Sequence, residues 1–332
     1  MSQTAILGVG AIGGYLATQL LDVGADTLLF VRPARAASLA HTGLATTEDI
    51  QIAGKDLPLC TDPARLAEAD RVLLCTKANA LSTVVPTLQS HVRPDTPIFC
   101  MLNGVRAARD LAKALPDHKV VAGMVPYNIV ERGPGMLHRS SAGEVVVESG
   151  APGEALREVM RPTLSPIILA PNMDAVQYGK LLLNLNNPVN ALSGLPIKAQ
   201  LSDWHYRRVY ALAFREALRV YKIAKVQHMQ AAALPAEQIA RVLMWPSFVF
   251  NRLALPRQDL DPDAQTSMAQ DLAAGRKTEI DDLNGEVLRL ATEAETTAPA
   301  NAALVRLIKD AETGGRRQWD GPGLLKEIQK RN

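Results

Sequence analysis

Apolar positions in the first half of the chain come in short runs separated by stretches of helical spacing. Residues 4–7 (Thr-Ala-Ile-Leu) form the first run, and residues 15–23 follow with apolar side chains at helical intervals. Further runs occupy residues 27–31, 71–76 (Arg-Val-Leu-Leu-Cys-Thr), 97–101 (Pro-Ile-Phe-Cys-Met), 120–124, 144–148 and 166–169. Such runs read as buried strands, and strands alternating with helices imply βαβ units and a mostly parallel sheet. After about residue 168 the pattern changes. Asp174 can cap a long apolar helix that reaches Leu185 and breaks near Pro188, and residues 203–224, 235–252, 264–274 and 279–293 keep helical periodicity. The pattern therefore predicts an α/β N-terminal domain over residues 1–171 and an all-helical C-terminal domain over residues 172–332. There is no internal repeat. From Gly314 onward the chain is polar and mixed in charge, with Arg316, Arg317 and Lys330, which predicts a solvated terminus.

Composition narrows the function classes. A length of 332 residues suits two domains at roughly 150 residues each, and 47% hydrophobic content is that of a globular protein. Lys and Arg total 36 against 34 Asp and Glu, so the net charge of +2 lacks the basic excess of a polyanion binder. With 4% aromatic residues, a stacking platform for single strands is also disfavoured, and no nucleic acid partner is expected. No apolar run approaches the roughly 18 residues a membrane span needs. Met1-Ser-Gln-Thr has no basic n-region, and the apolar residues after it run into glycines, so a soluble cytoplasmic protein is expected. Cys60, Cys75 and Cys100 are too few and scattered for a disulfide framework or zinc cluster, which predicts free thiols. The six histidines are equally scattered, and no metal is expected.

Gly8-Val9-Gly10-Ala11-Ile12-Gly13 is a G-x-G-x-x-G loop between the first strand and the first helix. Glycines there allow a tight turn, close approach of backbone to a pyrophosphate, and helix–strand packing, while the helix N-terminus presents free N–H groups to the phosphates. In this context the loop predicts a Rossmann-type, doubly wound sheet that binds a dinucleotide. The end of the next strand selects the cofactor. An acidic residue there would hold the ribose hydroxyls of NAD. This chain has Arg32, with Arg35 one turn later, and a cation at that place suits the 2′-phosphate of NADP; otherwise the pair are surface arginines.

In the second half, Gly179-Lys180-Leu-Leu-Leu-Asn184-Leu-Asn186-Asn187-Pro188 puts a polar stripe on an apolar helix. At about 100° per residue, Lys180, Asn184 and Asn187 share one face. Pro188 removes the helical bond to the Asn184 carbonyl. The stripe reads either as the wall of a site or as a snorkelling lysine with structural asparagines. In a site, a partly buried lysine can act as an acid or polarise a carbonyl oxygen. Residues 266–281 (Thr-Ser-Met-Ala-Gln-Asp-Leu-Ala-Ala-Gly-Arg-Lys-Thr-Glu-Ile-Asp) end one helix at Gly275 and allow Thr278 to cap the next, placing Glu279 in its first turn. Taken alone, that segment is capping and a surface ion-pair network.

Together these pieces resemble the ketopantoate reductase (2-dehydropantoate 2-reductase) family over nearly the whole chain. The matching residues are Gly8–Gly13, Arg32, Lys77 after Val72-Leu-Leu-Cys-Thr, Asn103-Gly104, and Lys180-x-x-x-Asn184 before an Asn-Pro. The most specific block is Ser267-Met-x-x-Asp271…Gly275-Arg-x-Thr-Glu279-Ile-Asp…Asn284-Gly285. The resemblance implies a two-domain enzyme that reduces 2-dehydropantoate with NADPH to (R)-pantoate in pantothenate biosynthesis. It implies Lys180 as the general acid for the forming alkoxide, with Glu279 as the carboxylate near it and the cofactor ribose. Asn184 and Asn187 would bond substrate oxygens, and Ser267 the substrate carboxylate. Asn103 would lie between nicotinamide and lysine, touching both substrate and cofactor. Arg32, Lys77 and the loop Gly8, Val9, Gly10, Ala11, Ile12 and Gly13 would contact the cofactor.

The chain also departs from many relatives. The second asparagine of the stripe stands seven residues after the lysine instead of eight, and Pro196 is followed by Ile197-Lys198 instead of Asn-Gly. Both changes fall on the substrate side. They keep open a reductase of another branched or bulky 2-oxo acid, and beside it a non-catalytic NADP-sensing protein of the same fold. The apolar helical faces are compatible with a homodimer.

Overall fold

The computed structural model describes residues 2–140, 143–258 and 261–330. The chain divides into two compact units, Met1–Met173 and Asp174–Asn332.

In the first unit the elements run β1 (Thr4–Leu7), α1 (Ala11–Asp22), β2 (Thr27–Phe30), α2 (Pro33–Thr42), β3 (Leu44–Thr46), β4 (Gln51–Ile52), β5 (Leu59–Cys60), β6 (Arg71–Leu74) and α3 (Leu81–His91). They continue with β7 (Ile98–Cys100), α4 (Ala107–Ala114), β8 (Val120–Met124), β9 (Ile129–Glu131), β10 (Met136–Arg139), β11 (Val145–Glu148), α5 (Ala151–Met160) and β12 (Ile167–Ala170). Eight strands form one sheet in the order β12-β11-β8-β7-β6-β1-β2-β5. The strands from β8 to β5 are parallel, β11 joins β8 antiparallel, and β12 is parallel to β11.

Successive side chains of a strand point to opposite faces, and here they enter two separate cores. Ala5, Leu7, Val72, Leu74, Ile98 and Cys100 pack on one side with Leu88 of α3 and Leu111 of α4. Ile6, Leu29, Leu73 and Phe99 pack on the other with Tyr15, Leu16 and Leu20 of α1 and Leu156 of α5. Burial on both faces explains why these strands read as continuous apolar runs. The sequence reading of an α/β, doubly wound sheet is thus the observed fold, with one antiparallel junction. It did not include the four-stranded sheet β4-β3-β10-β9. Those strands are two to four residues long, too short for the period-2 pattern to stand out.

The second unit is helical: α6 (Met173–Asn184), α7 (Asn187–Ser193), α8 (Ile197–Ser202), α9 (Trp204–Ile223), α10 (Ala236–Val242), α11 (Ser247–Val249), α12 (Ser267–Ala273), α13 (Asn284–Glu293), α14 (Pro299–Glu312) and α15 (Gly321–Gln329). Three expectations change. The helix expected over residues 235–252 stops at Val242, because Pro246 cannot donate and disfavours helix at the residue before it. The helix expected from Glu279 begins instead at Asn284. The tail is docked, not solvated: α15 buries Leu324 and Ile328, Trp319 N–H donates to the Leu192 carbonyl at 2.8 Å, and Tyr206 Oη–H donates to the Trp319 carbonyl at 2.7 Å. Its apolar residues at helical spacing were masked by the surrounding charges. Among the described residues no helix is long and apolar enough to cross a membrane, and no group of three His, Cys, Asp or Glu could hold a metal ion. Cys60, Cys75 and Cys100 are free thiols, and burial pushes Cys75 up to about 12 and Cys100 up to about 11.

Candidate active site

Because β7, β6, β1 and β2 are parallel and in register, their carboxyl ends share one edge. Leu7 stands beside Phe30 and Leu74, and Leu74 beside Cys100. The residues that follow are Gly8 after β1, Val31-Arg32 after β2, Cys75 to Lys77 after β6 and Met101 to Asn103 after β7. Ligands of open α/β sheets bind at this edge, where strand order reverses. Here the reversal falls between β1 and β6, and the glycine loop stands at it.

The three glycines serve different purposes. Gly8 has φ of 99°, and a Cβ there would lie 2.9 Å from the Thr76 nitrogen. A Cβ on Gly13 would meet the Gly8 carbonyl oxygen at 2.1 Å, so α1 approaches the loop only without a side chain. A Cβ on Gly10 would meet nothing within 4 Å, and the residue is exposed at the N-cap of α1 without a side-chain cap. The loop is therefore closed toward the protein and open at the helix N-terminus, which fits a dinucleotide pyrophosphate. Val9 is buried, and Ala11 and Ile12 are half-buried.

Arg32 and Arg35 are not equivalent. Arg32 is exposed at the N-cap of α2. Arg35 Nε–H donates to the Val9 carbonyl at 3.1 Å, and its terminal nitrogen meets Glu131 Oε1 at 2.9 Å. Lys77 is exposed three residues after the end of β6, and Asn103 is half-buried beside Gly104, whose φ is 92°.

In the second unit, Lys180, Leu183, Asn184 and Asn187 are half-buried, while Leu181, Leu182, Leu185 and Asn186 are buried. One face of α6 and the start of α7 is thus partly open. The joint between the two helices is tightened: Asn186 N–H donates to the Leu183 carbonyl at 3.3 Å, three residues back. Tyr210 Oη–H lies 3.3 Å from the carbonyl of Leu182, the residue four back that a regular helix would have used. Gly179 permits close contact with the chain at Met229, since a Cβ would stand 2.2 Å from that carbonyl oxygen. Burial pushes the Lys180 amine down to about 8, against the opposing pull of the Glu279 carboxylate.

Ser267 is the first residue of α12 and is half-buried. Thr266 caps that helix by accepting from Ala269 N–H at 3.3 Å. Asn190 of α7, fully buried, accepts from Thr266 N–H at 3.0 Å and from its hydroxyl at 3.1 Å. This clamp couples the start of α12 to the helix that carries Asn187. Glu279 lies in a turn and not in a helical first turn: the N–H groups of Asp282 and Leu283 both donate to its carbonyl. Side-chain tethers override the helix there, with Thr278 N–H on Glu312 at 2.7 Å and Asp281 on Lys309 at 2.7 Å.

Sequence reasoning missed two supporting residues, Asn190 and Glu286, and gave a third, Asp271, no role. Asn190 extends the stripe one turn beyond Asn187, a signal hidden by Pro188. Buried Asp271 accepts from Arg276 Nε at 2.9 Å and orders the chain after α12. Buried Glu286 accepts from Tyr178 Oη–H at 2.9 Å, one residue pair before Lys180.

Residues 4–152 match the family model described as ketopantoate reductase PanE/ApbA, and residues 172–312 match the model of its C-terminal part. The chain belongs to the ketopantoate reductase family. It is accordingly an oxidoreductase. The 2-dehydropantoate 2-reductase of Caulobacter vibrioides is 26% identical over 326 residues, 94% of this chain and 99% of that one. That of Mycobacterium tuberculosis is 25% identical over 323 residues, 96% of this chain and 98% of its own. A PanE/ApbA family ketopantoate reductase from Ralstonia eutropha superposes with a TM-score of 0.78 at 26% identity, covering 94% of this reductase and 98% of that chain. D-mandelate dehydrogenase, solved with NADH and anilino(oxo)acetate, shares the fold at a TM-score of 0.76 and 21% identity, covering 94% of this chain and 98% of its own.

Proposed function

We propose that the chain is an NADPH-dependent 2-dehydropantoate 2-reductase, forming (R)-pantoate for pantothenate biosynthesis. On this reading residues 1–171 bind the cofactor and residues 172–332 bind and protonate the substrate. The observation that carries it is Lys180. Its amine, held at about 8 beside Glu279, is mostly protonated at neutral pH yet gives up its proton readily. The bound nicotinamide supplies the hydride. Charge then develops on the ketone oxygen, where the Lys180 ammonium stabilises it and donates the proton. Asn184 and Asn187, on the same open face, bond substrate oxygens, and Ser267 receives the carboxylate. Glu279 keeps Lys180 charged. The glycine loop holds the pyrophosphate at the start of α1, Arg32 takes the 2′-phosphate, and Lys77 and Asn103 border the same sheet edge.

A second reading keeps the chemistry and changes the acid. Asn187 follows Lys180 by seven residues in sequence, across the α6–α7 joint, and Ile197 stands where many relatives have asparagine. Both alter reach and polarity on the substrate side. Steady-state kinetics with NADPH over a panel of 2-oxo acids separates the readings. The first expects kcat/KM to be highest for 2-dehydropantoate; a far higher value for another acid establishes the second. NADPH binding without turnover of any acid removes both.

A further inference from the structure

We infer that Arg35 is a positioning residue for the glycine loop, aimed by Glu131, and is not a ligand of the adenosine 2′-phosphate. The inference rests on the dinucleotide reading above. Arg35 lies in the first turn of α2, one turn beyond Arg32, where a second phosphate-binding cation would be expected from sequence. Its guanidinium is instead engaged through Nε and one terminal nitrogen. Nε–H donates to the Val9 carbonyl at 3.1 Å, and the terminal nitrogen pairs with Glu131 Oε1 at 2.9 Å. The same carboxylate oxygen accepts from Gly135 N–H at 2.8 Å. Gly135 belongs to the turn between β9 and β10, has φ of 77°, and packs so closely that a Cβ would lie 2.2 Å from the Gly43 carbonyl oxygen. A chain of contacts thus runs from a tightly fixed hairpin through Glu131 and Arg35 to the loop.

Val9 is flanked by Gly8 and Gly10, which leave the backbone soft on both sides. The Val9 carbonyl and the Gly10 N–H belong to one planar peptide unit. Drawing the oxygen toward Arg35 therefore turns that N–H the opposite way and fixes its direction at the exposed, uncrowded Gly10. A lysine cannot reproduce this, because its single nitrogen lacks the planar fork that serves two acceptors at once.

The two roles make opposite demands on cofactor binding. The pyrophosphate is common to NADPH and NADH, whereas the 2′-phosphate is not. Calorimetric Kd values for both dinucleotides are to be compared for the full chain and for the Glu131→Gln, Arg35→Lys and Arg32→Gln variants, with melting temperatures alongside. Glu131→Gln and Arg35→Lys are expected to weaken both dinucleotides by the same factor, about tenfold for a lost charge-assisted bond. Arg32→Gln is expected to weaken NADPH alone. A Glu131→Gln variant that binds NADPH more tightly and NADH unchanged overturns the inference, because it shows Arg35 released toward the 2′-phosphate. Unchanged binding of both in Glu131→Gln and Arg35→Lys also overturns it. If the unsubstituted chain binds neither dinucleotide, the cofactor reading itself falls and takes this inference with it.

Discussion

Lys180 and Glu279 act on each other inside the helical unit, although one sits on α6 and the other in the turn before α13. Burial lowers the proton affinity of the Lys180 amine, and the Glu279 carboxylate partly restores it, with about 8 as the outcome. An amine that keeps its charge at neutral pH while standing well below the usual lysine value of 10.5 is set up for proton donation near that pH.

The pH profile follows from this balance. The donor must be protonated, so kcat/KM for reduction is expected to be flat below pH 8 and to fall tenfold per unit above it. Glu279→Gln removes the interaction that favours the charged amine, so the fall is expected to begin at lower pH. Steady-state rates from pH 6 to 10 for both proteins check this. A descending limb unmoved by Glu279→Gln places the controlling group elsewhere.

Lys180 also makes a stability prediction of opposite sign to its catalytic one. Its folded-state value lies below the usual lysine value of 10.5, so the unfolded chain binds more protons between about 8 and 10.5. Folding stability from this group therefore rises across that window and carries its full cost below it. Lys180→Met is expected to raise the melting temperature at pH 7, to lose that advantage by about pH 10, and to lower kcat by about 10²- to 10⁴-fold. Thermal unfolding at the two pH values, with rates measured beside it, tests both halves. A Lys180→Met protein that turns over normally removes lysine from the acid role.

Much of this arrangement was legible in sequence because it depends on local signals. The strand at residues 4–7, the glycine loop and the helix after it are fixed by adjacent residues, and the open face of α6 follows from helical spacing alone. What remained hidden depends on distant partners. Arg35 reads as a twin of Arg32 until Glu131 and the Val9 carbonyl are seen to occupy it. Glu279 reads as the start of a helix until Glu312 and Lys309 hold its neighbours in a turn. The small sheet of β3, β4, β9 and β10 has strands too short to carry a period. The docking of α15 is set by Leu192 and Tyr206, more than a hundred residues earlier in the chain.

Arg32→Asp is expected to reverse cofactor preference. The side chain is exposed at the end of β2, where an acidic group would suit ribose hydroxyls and repel a 2′-phosphate. The ratio of kcat/KM for NADPH to that for NADH is expected to fall by at least tenfold, chiefly through KM. An unchanged ratio assigns the 2′-phosphate to other residues.

Asn190→Ala probes the clamp between α7 and α12. The fully buried Asn190 amide accepts both Thr266 donors, and its own N–H donates to the Leu195 carbonyl at 2.9 Å. Alanine leaves the Thr266 N–H buried without its acceptor and removes the bond to the Leu195 carbonyl, at a cost of about 2–4 kcal/mol. Because Thr266 caps the helix that begins with Ser267, loosening it displaces the hydroxyl proposed to receive the substrate carboxylate. The variant is therefore expected to unfold at lower urea and to show a raised KM for the 2-oxo acid, while its Kd for NADPH stays unchanged. Thr266→Ser keeps both donors and is expected to retain the KM of the unsubstituted chain. If Asn190→Ala loses stability but keeps its KM, the clamp supports the fold and has no part in holding Ser267 for substrate.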